Sequence, residues 1–295
     1  MTVLVSGATS QIGRYLLPRL SQAGIPVLAV SRKPQPSQPG VEWWTGDLGD
    51  ALSAFRGRTW QAIVSFTSME GWLPWLAEQD SAPAPRIIAT SSMSVVTKQS
   101  SAQSDEQAVV AWLRRGETGL TTQAERLGMQ WTILRPTLIY GAGIDKSLTP
   151  IVARARRARL FPIPMARGMR QPVHADDIAQ AVVAALTSDA AARRVLEIGG
   201  GERVDYARMF QRVHASMAER TLPLPLPMTM LRLLAAVWPK ARGPVSRLQQ
   251  DLVADNGPLQ SLLGIHPRAF QPDSSAWVPM SPDQARARVQ LGQPE

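Results

Sequence analysis

The stretch Val3-Leu4-Val5-Ser6-Gly7-Ala8-Thr9-Ser10-Gln11-Ile12-Gly13-Arg14-Tyr15-Leu16-Leu17-Pro18-Arg19-Leu20 decides the fold. A short apolar run breaks into a loop with glycines at 7 and 13, and then into a segment whose apolar residues fall at helical spacing. That order predicts a buried strand, a tight turn and a helix. Gly7 can take a backbone conformation closed to other residues, and Gly13 lets the helix lie close on the strand. The unpaired N–H groups of the first helical turn are then free to face a pyrophosphate. The bland alternative is a strand, turn and helix that bind nothing.

The same residues resemble the Gly-x-x-Gly-x-x-Gly fingerprint of the extended and atypical short-chain dehydrogenase/reductase family, whose sugar-nucleotide epimerases usually read Thr-Gly-Ala-Thr-Gly-Phe-Ile-Gly here. The resemblance implies that Gly7, Thr9, Ser10, Gln11, Ile12 and Gly13 hold a dinucleotide. One glycine of the three is replaced: Ser10 stands at the middle position, where a Cβ crowds the phosphates and a hydroxyl can donate to them.

Composition narrows the class. At 295 residues and 44% hydrophobic content, the chain can bury the core of one large α/β body with a smaller C-terminal part. It has no cysteine and only three histidines, His174, His214 and His266, far apart in sequence, so no metal site is expected. The net charge of +9 favours anionic partners. The arginines are scattered and not interleaved with aromatic residues, which points to a small anionic substrate and away from nucleic acid. The chain opens directly in a strand and contains no run of eighteen apolar residues, so a cytoplasmic location is the expectation.

Outward from the first helix, Val27-Leu28-Ala29-Val30 reads as a second buried parallel strand that ends at Ser31-Arg32-Lys33-Pro34. In folds of this kind an acid at this place binds the ribose hydroxyls of NAD, whereas a basic residue accommodates the 2′-phosphate of NADP. Arg32 and Lys33 therefore put NADP first and NAD second, with a solvated basic turn as the alternative. Gly46-Asp47-Leu48 follows a third strand and resembles the family's Gly-Asp-Leu, which places Asp47 and Leu48 near the adenine. Asp47 can equally cap the helix expected over Asp50 to Phe55. Ala62 to Phe66 is a fourth strand, and the resemblance puts Thr67 under the nicotinamide ribose. Arg86 to Ser92 matches the family's fifth strand, which carries a catalytic serine at its carboxyl end. Ser92 is the candidate, with common loop chemistry as the alternative.

The family then carries Tyr-x-x-x-Lys on a helix, where the ammonium lowers the phenol's pKa so that it can trade a proton with the substrate. When Glu117 is matched to the family's helix glutamate, Val109 falls at the tyrosine and Leu113 at the lysine. Neither can move a proton. Arg114 and Arg115 are poor proton donors and are read as a solvated helix face. Trp131 to Pro136 ends in the family's Arg-Pro, which sets Pro136 against the nicotinamide. Tyr140, four residues on, is the substitute acid candidate, with packing of its ring as the other reading.

In the second half, Arg154, Arg156, Arg157 and Arg159 suit either a basic cleft wall or a solvated helix face. Val173-His174-Ala175-Asp176-Asp177 resembles the family's Val-His-Val-Asp-Asp, where an Asp caps the next helix, and His174 and Asp176 are read as structural. Leu222 to Pro227 alternates leucine with proline, and Met228 to Trp238 is an apolar helix carrying Arg232. It is too short and broken to span a bilayer. Its readings are a substrate lid, packing in a homodimer, or contact with a membrane surface. Leu263-Gly264-Ile265-His266-Pro267 resembles the C-terminal end of sugar-nucleotide epimerases, where a leucine-glycine turn leads into a proline-bearing strand, and the residues after Gln271 are read as a loose tail.

The expected architecture is α/β, a Rossmann-type doubly wound parallel sheet with a small C-terminal substrate-side lobe. Residues 1–145 would form the dinucleotide-binding core, 146–270 the lobe interleaved with late core strands, and 271–295 the tail. The expected function is that of an oxidoreductase or epimerase on a nucleotide-sugar-like substrate. The alternative is a non-catalytic cofactor-binding protein.

Overall fold

The computed structural model describes residues 2–99, 101, 103–238 and 242–291. The first half alternates strand and helix: β1 (Val3–Ser6), α1 (Gln11–Gln22), β2 (Val27–Ser31), β3 (Val41–Thr45), α2 (Leu48–Ala54), β4 (Ala62–Ser65), a 3-10 turn (Met69–Trp72) running into α3 (Leu73–Ala77), β5 (Arg86–Thr90), α4 (Ser94–Thr97), α5 (Ser104–Arg126) and β6 (Gln130–Pro136). The second half holds β7 (Ile139–Tyr140), α6 (Thr149–Ala158), β8 (Leu160–Met165), β9 (Met169–Arg170), β10 (Val173–His174), α7 (Ala175–Thr187), β11 (Arg194–Ile198), β12 (Val204–Asp205), α8 (Tyr206–Ala215), β13 (Leu222–Pro227), α9 (Met228–Val237), α10 (Arg242–Arg247), α11 (Gly257–Leu263), a second 3-10 turn (Ser274–Trp277) and α12 (Pro282–Leu291).

Seven parallel strands form one sheet in the order β11-β6-β5-β4-β1-β2-β3. β1, β2 and β4 are buried at every residue, because helices cover both faces of the sheet and leave no solvated side for alternation. The edge strand β3 is only partly buried. On one face Val3, Val5 and Val64 pack with α1 and α7. On the other, Leu4, Leu28 and Ile63 pack with Leu52, Trp72 and Leu120. Order reverses between β1, whose neighbours are β2 and β4, so the loops at the carboxyl ends of these strands frame a crevice. The doubly wound parallel sheet expected from sequence is present.

The lobe is built from β8 and β13, α6 and α8, around Phe161, Phe210, Phe270 and Trp277. Three expectations are corrected. The chain after Gln271 is docked rather than loose: Trp277, Met280, Ala285 and Val289 are buried, and the Arg14 guanidinium donates to the Met280 carbonyl across α1. Gly264 ends α11 at φ +65°, but residues 265–270 run as irregular chain and not as a strand, with Phe270 packed into the lobe. Finally α7 is capped by His174, whose Nδ1 accepts the Asp176 N–H at 3.2 Å, and not by an aspartate.

Candidate functional site

Where β1 meets α1, the glycines do what their positions require. Gly7 sits at φ +70° against Phe66, and an added Cβ there would lie 3.0 Å from the Phe66 carbonyl carbon. A Cβ at Gly13 would lie 2.2 Å from the Ala8 carbonyl oxygen, so only glycine lets α1 approach the loop this closely. Ser10, at φ −67° and ψ 167°, needs no glycine. Its Oγ caps the helix by accepting the Gly13 N–H at 3.2 Å. Among the described residues nothing accepts the N–H of Gln11 or Ile12, and the Gln11 Oε1 is buried without a partner. Two free donors at a helix N-terminus form an anion cradle, and the residues present fit a dinucleotide pyrophosphate.

Around this cradle the other candidates take different parts. Thr9 is exposed on the loop and Ile12 is buried. Arg32 and Lys33 are exposed on a turn tied by Ser31, whose Oγ donates to the Lys33 carbonyl at 2.8 Å. A cavity of about 110 Å³ adjoins this turn, lined by Ala8, Thr9, Arg14, Gln35 and Trp43 and closed by Pro282 of the docked C-terminal segment. The Asp47 carboxylate caps α2, accepting the Asp50 N–H at 2.9 Å, and Leu48 packs on the core. The Thr67 hydroxyl is engaged with Ser6 Oγ at 3.0 Å and Ser65 Oγ at 3.2 Å, and Ser65 also receives the Trp72 indole N–H.

At the end of β5, Ser92 is partly exposed. Its hydroxyl donates to Ser94 Oγ and accepts the Ser94 N–H, both at 3.1 Å. Ser91 beside it holds a buried Oγ without a hydrogen-bond partner. The Pro136 carbonyl accepts the Met93 N–H at 3.0 Å and so ties the ends of β5 and β6 together. Glu117 forms a two-pronged ion pair with Arg135, Nε to Oε1 at 2.9 Å, which anchors α5 to β6. In that register Val109 is 40% exposed and Leu113 is buried.

Tyr140 lies within the lobe core. It is 1% exposed, with edge-on ring contacts to His174 at 5.1 Å and Phe270 at 4.9 Å. This burial keeps its phenol out of the cleft. The arginines of α6 divide: Arg156 pairs with Glu219 at 2.9 Å, and Arg154, Arg157 and Arg159 are exposed. Asp176 and Asp177 are buried in an ion network in which Arg19 reaches Asp176 at 2.6 Å and Arg268 reaches both carboxylates. Burial alone would raise the Asp176 carboxyl, but Arg19 and Arg268 outweigh it and hold it below the usual range. At Asp177 burial dominates and pushes the carboxyl up against the pull of Arg268.

One constellation was not foreseen. Glu106 near the start of α5 is 7% exposed and bonded to Arg247 of α10, to Ser101 Oγ at 2.6 Å and to Lys98 at 3.7 Å. Burial would raise its carboxyl; Ser101, Arg247 and Lys98 bring it below the usual range instead. Arg170 beneath is buried, donates to the backbone carbonyls of Met169, Gln250 and Arg247, and lies over the Tyr206 ring at 4.7 Å. Together Ser94, Lys98, Arg170, Arg247 and Asp251 line a cavity of about 70 Å³ between α4, β9 and the segment that follows α10. Partners 141 residues apart leave no local signature in sequence. No group of three or more acidic or histidine side chains suited to a metal occurs among the described residues.

Comparison with known proteins agrees with this geometry. The model of the "NAD dependent epimerase/dehydratase family" matches residues 3–66 and 114–199. A UDP-glucose 4-epimerase of Vibrio cholerae is 24% identical over 154 residues, which cover 51% of this chain and 46% of that protein. The chain thus matches somewhat less than half the length of that relative. Among solved structures, MoeE5 in complex with UDP-glucuronic acid and NAD superimposes with a TM-score of 0.69 at 18% identity, over 99% of this chain and 100% of the other. UDP-glucuronic acid 4-epimerase from Bacillus cereus in complex with NAD gives 0.69 at 16%, with the same coverage. An epimerase of Methanothermobacter thermautotrophicus gives 0.72 at 15%, over 98% and 93% of the two chains. At these identities the structural likeness speaks for the fold. With the family model covering half of the chain, including the glycine loop and the parallel strands that frame it, the protein belongs to the NAD dependent epimerase/dehydratase family.

Proposed function

We propose that the protein binds a nicotinamide dinucleotide along the carboxyl ends of β1, β2 and β4 and performs an oxidoreductase or epimerase step on a nucleotide-sugar-like anion at the lobe side. The observation that carries this reading is the cradle at Gly7 and Gly13, with the free N–H groups of Gln11 and Ile12 and the orphaned Gln11 Oε1 beside it. Gly7, Thr9, Ser10, Gln11, Ile12 and Gly13 would take the pyrophosphate, Asp47 and Leu48 the adenine side, and Thr67 and Pro136 the nicotinamide side. NAD replaces NADP as the first choice. Both UDP-glucuronic acid 4-epimerase of Bacillus cereus and MoeE5 were solved with NAD, whereas the preference for NADP rested on Arg32 and Lys33, which stand on an exposed turn.

When bound, the nicotinamide supplies hydride acceptance and return. This chain's own contribution is positioning. The Ser92 hydroxyl can turn from Ser94 toward a substrate oxygen. With Val109 and Leu113 in place of the phenol and ammonium, and Tyr140 enclosed by rings, the proton passes to water at the cleft. The same replacements favour a second reading, a cofactor-binding protein without turnover.

Calorimetric titration with NADH and NADPH, followed by assay with UDP-glucose and UDP-glucuronic acid, tests the proposal. NADH is expected to bind more tightly than NADPH. Ser92→Ala is expected to lower turnover about a hundredfold while sparing NADH affinity. Absence of binding by either dinucleotide would remove the proposal, and NADH binding without turnover would select the second reading.

A further inference from the structure

Helix α9 is seated on the lobe through Leu231 and Ala235, its two buried residues. Met228 packs partly against the same cluster, and the remaining residues of the helix face outward. Met230, Leu233, Leu234 and Val237 are 53, 70, 48 and 84% exposed and fall at i, i+3, i+4 and i+7, which places them on one stripe. Trp238, at the end of the helix, is 57% exposed. Beside α9, the two-stranded sheet of β8 and β13 exposes Leu160, Leu222 and Leu224, with Leu160 and Leu222 paired in register. Single exposed apolar side chains are ordinary on soluble proteins, whereas a continuous apolar stripe marks a surface that something covers.

Charge selects the occupant. From Arg220 to Gln250 the sequence contains no Asp or Glu, and it carries Arg220, Arg232, Lys240, Arg242 and Arg247. Arg247 is engaged with Glu106. Arg232 is exposed on α9 itself, next to the stripe. A second copy docking by twofold symmetry would bring this acid-free basic segment against itself, so like charges would be desolvated together. A bilayer rich in anionic lipid meets both demands: its acyl boundary takes Leu233 and Val237, its headgroup layer takes the Trp238 ring, and its phosphates neutralise the arginines. We propose that α9 is an interfacial anchor through which the protein docks on an anionic membrane surface. Arg247 of α10, which follows α9, reaches Glu106 of α5 and lines the small cavity with Ser94, so docking would bring that side of the molecule toward the lipid.

Co-sedimentation of the full chain with phosphatidylcholine vesicles, and with vesicles of phosphatidylcholine and phosphatidylglycerol, tests this. The protein is expected to pellet with the anionic vesicles, and less so as salt screens the headgroups. Arg232→Glu is expected to weaken that partition by roughly thirtyfold, from a change of two charges at the surface. A Leu233→Glu, Val237→Glu double variant is expected to stay in the supernatant with an unchanged melting temperature, since both side chains are exposed in the parent. The proposal is overturned if the protein ignores anionic vesicles, if it binds neutral and anionic vesicles alike, or if ultracentrifugation finds a dimer that the double variant dissociates.

Discussion

Replacing Gly13 by alanine puts the most direct strain on the site. The new Cβ would lie 2.2 Å from the Ala8 carbonyl oxygen, 2.5 Å from the carbonyl carbon and 2.8 Å from its Cα. Contact between carbon and oxygen needs about 3.3 Å, so the start of α1 must retreat by about 1 Å. All three obstacles are backbone atoms, and no rotamer change relieves them. Nor is the helix free to move: the Tyr15 hydroxyl donates to the Gly141 carbonyl at 2.8 Å, Arg19 grips Asp176 at 2.6 and 2.7 Å, and Arg14 holds the Met280 carbonyl.

Overpacking in a well-tied core costs about 1 to 3 kcal/mol, and with no flexible neighbour the upper end applies. An unfolding entropy of about 2.1 cal/mol/K per residue gives roughly 0.6 kcal/mol/K for the chain, so the melting temperature should fall by about 5 °C. The N–H groups of Gln11 and Ile12 travel with the helix. A shift of about 1 Å takes a hydrogen bond of about 2.9 Å beyond useful range, and the loss of one charge-assisted bond, about 1.5 to 3 kcal/mol, lowers NADH affinity at least about tenfold. Gly24→Ala is the control. Gly24 has φ +67° with open space around its Cβ, so the exchange costs about 1 to 2 kcal/mol of backbone strain and leaves NADH affinity alone. Thermal melting and calorimetry read both quantities. A Gly13→Ala protein that melts with the parent and binds NADH as the parent does would refute the argument.

Ser10→Ala should cost about 1 kcal/mol through the lost cap on Gly13 N–H, and Ser10→Gly only a few tenths, as compared by urea unfolding. Tyr140→Phe should leave any turnover unchanged, because its phenol is enclosed in the lobe; a loss of turnover at constant stability would return Tyr140 to the list of acids. Asp176, held below the usual carboxylate range in the folded state, contributes stability that is complete above that range and lost as pH falls through its lowered folded value. Unfolding of Asp176→Asn and of the parent should therefore differ most at neutral pH and converge in acid.

The sequence by itself determined the parallel sheet and its glycine loop, because strand burial, helical spacing and the need for glycine at 7 and 13 are properties of residues close together in the chain. It also settled that residues 109 and 113 carry no proton-transfer group, since that follows from the identities Val109 and Leu113 alone. Only the tertiary structure decided how side chains with two uses were spent. The Asp47 carboxylate and the Ser10 hydroxyl went to helix caps, the Tyr140 ring to a packed core, and the Arg156 guanidinium to Glu219. The supposed tail became part of the wall over α1 through the contact of Arg14 with Met280, 266 residues apart, and Glu106 found Arg247 across 141. Local pattern constrains backbone geometry within a turn or a strand. Which polar group satisfies which, and which apolar face stays uncovered, is set by packing between segments that are distant in the chain.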